Sequence, residues 1–310
     1  MAYSTGTANS AAEIVAAIKS LATGNGWSES GTTLIKDDIY TLLTTSGNNV
    51  AVRGALGGVE TNESQRSVRL RADAWTGTNN IAMLTFPCTY HVFVHTDPDN
   101  VVCFVNYNVN WWQWIMFGKA KNMGVSGTCN YQAGSFPFGA NSQVIPWSTT
   151  SDGSLTSSSP FVYGVPFPFW QPNSPNVTSP TGDSINIEST TWAECTDVPG
   201  NHAINARRFA KTFLNLMPNA WNGEITLCRV LLKYLRSTGV YSYAAELPHV
   251  RLTRNDNYTD GQIITLGSDE WMVFPGLRKD LTQRNGSTSS TETNALNSSG
   301  TVAIAVRKTT

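Results

Sequence analysis

Three apolar runs, Tyr90–Thr96, Val101–Tyr107 and Trp111–Phe117, follow one another with only a few residues between them. The first connection, Asp97-Pro98-Asp99-Asn100, carries Pro and Asp, whose preset φ and short side-chain acceptors build tight turns. Strands joined this closely lie side by side and antiparallel, because a parallel pair needs a crossover of about a dozen residues or more. An aromatic three-stranded meander is therefore the expected centre of the fold.

The remaining chain supplies more strands. Thr33–Leu43 and Val50–Arg53 are rich in β-branched residues, and Val68–Ala72 alternates apolar with basic, which predicts a strand with one wet face. Ile81–Phe86 reads as a strand closed by Pro87. Glu224–Ser237 is apolar and β-branched, with a helical turn over Val230–Arg236 as the alternative. Tyr241–Glu246 and Val250–Thr253 are separated by Leu247-Pro248-His249, where Pro248 predicts a bulge or an edge position. Gln262–Leu266 and Trp271–Phe274 flank Gly267-Ser268-Asp269-Glu270 as a second hairpin, and Thr301–Val306 is a closing strand.

One helix is signalled. Ser10-Ala11-Ala12-Glu13 fits a capping box, Ile14, Ala17, Ile18 and Leu21 form an apolar stripe, Gly24 and Gly26 stop the helix, and Trp27 is placed to pack beneath it. The fold class expected is mainly β, a sandwich or barrel-like domain with one N-terminal helix and long loops. Along the chain this divides into an N-terminal helix and arm (1–30), a first β region (31–135), a Pro/Ser/aromatic loop or arm (136–185), and a second β region (186–310) that completes one domain with the first. The loop or arm includes the polar stretch Ser148–Pro160 and Pro166–Pro172, where aromatics sit between prolines. Asp280–Ser299 is a further polar loop.

Composition narrows the function. Asp, Glu, Lys and Arg make up 14% of the 310 residues, against about 25% in an average soluble domain. The chain nevertheless carries 10 Trp, 12 Phe and 10 Tyr. A weakly charged surface associates readily, since net charge is what keeps proteins apart. The net charge of −1 makes no electrostatic case for nucleic acid. No stretch approaches the roughly 20 apolar residues of a membrane-spanning helix. The start Met1–Thr7 lacks the pattern of a cleaved signal peptide. Cys88, Cys103, Cys129, Cys195 and Cys228 are widely spaced, with no zinc-binding pair, and read as buried thiols.

Catalytic and metal-binding patterns are weak. His91 and His95 lie about 13 Å apart along an extended strand, too far for one tetrahedral ion. Asp97 and Asp99 read as turn formers. Glu194, Glu246, Asp269 and Glu270 are the acids from which a glycosidase pair would have to come, with no motif behind them. The reading is no catalytic residue, no cofactor and no metal. In Trp111–Phe117, alternation puts Trp112 and Trp114 on one face and Trp111 with Gln113 on the other. That pattern suits a strand buried on both sides or an assembly interface better than a sugar platform. Trp111, Trp112, Trp114 and Phe117, with Phe167, Phe169 and Trp170 of the proline-interrupted arm, are the candidate intersubunit residues, together with the N-terminal segment.

Several stretches in order carry a resemblance. Ala8–Ile18 leading to Gly26-Trp27, Met116-Phe117-Gly118-Lys119 before the Gly-rich 124–136, Pro218–Gly223, Gly239–Val250 with Glu246-Leu247-Pro248-His249, Ile263–Gly267 with Trp271–Pro275, and Ser299–Ala305 together resemble a family of tailed-bacteriophage virion structural proteins. The resemblance implies a non-enzymatic particle component of the tail, neck or baseplate, located in the virion. Its partners would be copies of itself in a symmetric ring and other virion proteins, with no nucleic acid or membrane bound directly. The competing expectations are a carbohydrate-binding receptor-recognition module of a phage fibre and, behind it, a glycoside hydrolase.

Overall fold

The computed structural model describes residues 1–55, 67–72, 83–137, 167–169, 183–188, 191–194, 204–205, 226–237, 240–282, 284 and 299–308. The helix, Ala11–Thr23, starts where its cap predicts. Ser10 Oγ accepts the Glu13 N–H at 3.3 Å, while the Glu13 carboxylate accepts the N–H of Asn9 at 2.8 Å, so the box closes one residue before the cap. Ile14, Ile18 and Ala22 are buried. Gly26, at φ 85, turns the chain back, a conformation that costs glycine little. Trp27 then meets Phe117 edge-on, ring centroids 6.0 Å apart.

Three open antiparallel sheets make up the rest. The central sheet has the order Ala2–Ala8, Cys88–His95, Asn100–Asn108, Trp111–Lys119, Asn130–Gly134, Ser184–Glu188, Thr191–Glu194. The meander is its middle, with Val101 opposite both Val94 and Phe117. An N-terminal outer sheet runs Phe136–Pro137, Val68–Leu70, Asn49–Ala55, Ile39–Ser46, Thr33–Lys36, Ser28–Ser30. A C-terminal outer sheet runs Ile204–Asn205, Cys228–Ser237, Val240–Arg254, Val302–Arg307, Asp269–Pro275, Gln262–Leu266, with Lys121–Asn122 also paired to Val240–Arg254.

The central sheet is buried on both faces. Phe93, Phe104, Trp112, Trp114 and Met116 point to one core, shared with Leu252, Phe274, Ile304 and Val306 of the C-terminal sheet. Val92, Val101, Cys103, Ile115 and Phe117 point to the other, shared with the helix and with Leu43, Val50, Val52 and Leu70 of the N-terminal sheet. Alternation in an ordinary half-wet strand would leave one of these sets polar. Here both sets are apolar because both faces are covered, and burying each large side chain contributes about 1.5–3 kcal/mol.

Among the described residues the structure is thus mainly β with a single helix, near the N-terminus, layered as a sandwich of three sheets and not closed as a barrel. Several local expectations change. The Thr33–Leu43 run is broken at Asp37-Asp38, where Asp37 takes φ 51, into Thr33–Lys36 and Ile39–Ser46. Residues 83–86 form no strand, and Ile81 lies outside the described residues. Val68–Ala72 is drier than its alternation predicts, with Arg69 half-buried. Arg71 is 6% exposed, because its backbone is clasped by the Gln113 side chain from the central sheet. Gln113 Oε1 accepts the Arg71 N–H at 2.5 Å, and its Nε2 donates to the Arg71 carbonyl at 3.0 Å.

Cys228–Ser237 is strand throughout, with no helical turn over Val230–Arg236. Tyr241–Glu246 and Val250–Thr253 are one long strand, Val240–Arg254, bulged at Pro248. Its pairing jumps there from Val230 opposite Leu247 to Arg229 opposite Arg251. Its other neighbour changes at the same place, from Lys121–Asn122 to Val302–Arg307. The missing N–H of Pro248 falls in that gap, where no ladder bond is lost. The expectations for 138–166, 170–182 and 285–298, Ser148–Pro160 among them, lie outside the described residues.

Candidate interaction surfaces

Six residues of the candidate interface can be placed. Trp112 and Trp114 share a face, as alternation predicts, but that face is the core against the C-terminal sheet. The indole N–H of Trp114 donates to the Gly276 carbonyl at 2.9 Å, and that of Trp112 to an Asp260 carboxylate oxygen at 3.0 Å. Phe117 is buried on the opposite face. Phe167 and Phe169 are fully buried in the same core as Trp114. Asp183 anchors their segment, its carboxylate accepting the N–H groups of Gly134 and Phe169 at 2.9 and 2.8 Å. Burial pushes its carboxyl up to about 7. These five side chains are used up inside the protein and are withdrawn as intersubunit contacts. Trp111 alone is half-exposed, with the Arg278 guanidinium 5.0 Å from its ring. Trp170 lies outside the described residues.

The sugar platform loses its material in the same way. Among the described residues the tryptophans are buried, Trp111 excepted. Two of the four acids proposed for hydrolysis, Glu246 and Asp269, are ion-paired. Glu246 is 3% exposed and ion-paired with Arg229, with Arg251 at 3.8 Å. The hydrogen bond from Arg229 holds its carboxyl below the usual range, the wrong direction for a general acid. Asp269 pairs with Arg307 at 2.6 Å, and the Glu194 side chain lies outside the described residues.

The histidines face inward. Tyr3 Oη lies 2.8 Å from His91 Nδ1, and His95 spans Asn100 Oδ1 at 3.1 Å and the Arg307 carbonyl at 2.7 Å. His249 stacks on His95 with centroids 4.4 Å apart and planes 8° from parallel. Burial lowers all three imidazoles, His91 and His249 to about 4 and His95 to about 3; His95 is lowered further by His249, and His249 by Arg307 and Arg251. Burial thus disfavours the charged form of all three rings. Among the described residues no cluster of His, Cys, Asp or Glu could hold a metal ion. Cys88, Cys103, Cys129 and Cys228 are free thiols, the first three buried, and burial raises the pKa of all four.

The outer face of the C-terminal sheet is itself buried at Trp271, Val273, Ala303 and Ala305, but its edge is exposed. Its last strand, Gln262–Leu266, has four of its five residues exposed. Ile263 and Leu266 rank among the most exposed large hydrophobic residues described, at 40% and 55%. No signal in single-residue composition marks this strand as different from its neighbours. The signal that could have found it is the absence of any charge or proline across Gln-Ile-Ile-Thr-Leu at the end of a hairpin.

No protein-family model matches this chain, and no curated protein matches it in sequence. Among the described residues, no helix is long and apolar enough to cross a membrane.

Proposed function

We propose that this chain is a structural subunit of a bacteriophage particle, built into the tail, neck or baseplate through contacts with copies of itself and with other virion proteins. One observation carries the reading from the structural side: a three-layer body carries an uncharged, solvent-exposed sheet edge with apolar side chains. The ordered sequence resemblance to tailed-phage virion proteins supplies the kind of assembly. The weakly charged surface fits close packing among like subunits. The particle's ring symmetry would follow from how those contacts close.

Mass spectrometry of purified virions tests this directly. The chain is expected at a copy number that is a multiple of a small ring. Its absence from virions, with the free protein monomeric at high concentration, overturns the proposal. A receptor-binding module would instead need an exposed aromatic platform, and the described tryptophans do not favour it.

A further inference from the structure

The edge strand Gln262–Leu266 has a register of its own, and that register identifies a partner. Gly261, at φ 76, donates its N–H to the Val273 carbonyl at 2.7 Å, a glycine bulge that opens the strand and leaves the residues after it regular. Leu266 is opposite Asp269 across the two-residue turn Gly267-Ser268, so this pair exchanges both its hydrogen bonds. Alternation then turns the N–H and C=O groups of Gln262, Ile264 and Leu266 inward to Asp269–Pro275. Those of Ile263 and Thr265 turn outward, where no described strand pairs with them.

We infer that two copies of this chain join edge to edge through Gln262–Leu266, antiparallel about a two-fold axis at Ile264, so that the C-terminal sheets of both copies become one continuous sheet. The inference deepens the subunit reading and rests on it. In this register Ile263 faces Thr265 of the other copy and the reverse. All four outward backbone groups on each copy are then satisfied by four hydrogen bonds. A slip of two residues in either direction would leave one of the pairs unmade. Ile264 meets its own counterpart on the outer face, where it already packs beside Trp271. Leu266 covers Gln262 of the other copy, and on the inner face Ile263 lies against Thr265.

The other edges argue for this one. Ser28–Ser30 is three residues long and carries Glu29, held by Lys19 at 2.6 Å. Phe136–Pro137 contains a proline, and Ile204–Asn205 has only two residues. Thr191–Glu194 is short and ends in an acid. Ala2–Ala8 is long, but Gly6 interrupts it, and its exposed positions are Thr5 and Thr7. Short length, charge, proline and glycine are the devices that keep edges from pairing. Gln262–Leu266 carries no charge, proline or glycine within it, the Gly261 bulge lying just before the strand. With no charge of its own, it does not repel a second copy, and a charged ligand would find nothing there to pair with. Across the hairpin, Asp269 opposite Leu266 is paired with Arg307, and Glu270 stands opposite Thr265. One five-residue pairing buries less than the roughly 1,200 Å² of a stable interface, so the dimer forms at high concentration and is one of several contacts in an assembly.

Cysteine cross-linking of the full chain tests the register. Across the two-fold, Ile264 and its counterpart form a non-hydrogen-bonded pair with Cα atoms about 4.5 Å apart, within disulfide reach. The two Ile263 residues sit about 9 Å apart in the same register, beyond it. Under mild oxidation at high concentration, Ile264→Cys is expected to give a reducible dimer, whereas Ile263→Cys and the wild type stay monomeric. Thr265→Pro, which deletes an outward donor, and Leu266→Glu, which keeps the backbone but adds charge beside Gln262, should each cut the Ile264→Cys dimer yield several-fold. Near-ultraviolet circular dichroism confirms that each variant is folded. Equal cross-linking at 263 and 264, no cross-linking at 264, or a yield untouched by both folded variants overturns the inference. If the chain is found in virions while the 264 dimer never forms, the edge contact falls and the subunit reading stands.

Discussion

Strand Trp111–Lys119 has a neighbour along each edge and a core against each face, whereas Gln262–Leu266 has one neighbour among the described residues and keeps Ile263 and Leu266 exposed. Lys119 apart, the two segments are equally uncharged, and both are apolar enough to be core. The aromatic strand, the more adhesive of the two by composition, is buried within the protein except at its ends, Trp111 and Lys119. The plainer strand, with no aromatic residue, keeps one edge unpaired among the described residues. Apolar content says that a surface needs covering. Only position in the sheet says whether the chain itself does the covering.

Substitutions should separate these two cases by size of effect. Trp114→Ala removes a fully buried indole and its bond to Gly276, and is expected to cost about 3–5 kcal/mol in urea denaturation. A loss under about 1 kcal/mol would mean that the strand is not packed on both faces.

Acid should weaken the side of the central sheet that faces the C-terminal sheet, through its buried histidines. Their folded pKa values lie near 3–4, below the unfolded value near 6.5. Above pH 6.5 both states are neutral and stability is complete. As pH falls from 6.5 towards 4, the unfolded chain binds protons that the native chain refuses, and stability is lost. For His249 alone the loss approaches about 3 kcal/mol. Asp183, raised to about 7, acts in the opposite sense between about pH 4 and 7, and the three histidines outweigh it. Denaturation at a series of pH values should show the net decline, with a shallower slope in His249→Phe. A slope unchanged by that substitution would remove His249 from the account.

Gln113→Ala removes the acceptor of the Arg71 N–H and one of the two donors to its carbonyl, the Leu84 N–H at 2.9 Å being the other, and should cost about 1–2 kcal/mol. The melting temperature measures it, and an unchanged value would mean that water replaces the clasp. The smallest effect belongs to the edge strand. Leu266→Lys should leave monomer stability within about 0.5 kcal/mol of wild type, since the side chain is already exposed. A larger loss would show that Leu266 is part of the core after all.

Much of the local structure was legible. The Ser10 cap, the stripe through Ile14 and Ile18, the turns at Asp97–Asn100 and Gly267-Ser268 and the bulge at Pro248 each depend on a few adjacent residues, whose φ preferences and short side-chain acceptors act over one turn. The candidate site was less legible. Trp112 and Trp114 were rightly placed on one face, but nothing near them in the sequence says that residues 271–274 and 302–306 cover that face. Arg71 misled for the same reason, since its covering residue, Gln113, lies 42 positions away.

By itself, then, the sequence determined the helix, the hairpins and the two-sided apolar character of the meander, because these follow from nearest-neighbour sterics and alternation. The tertiary structure alone decided that two further sheets close over the meander. It also decided that the aromatic residues are consumed in doing so and that Gln262–Leu266 is left as an edge unpaired among the described residues. Which surfaces meet is a matter of long-range pairing, and a strand's pattern of alternation is the same whether its far side faces another sheet, a second subunit or water.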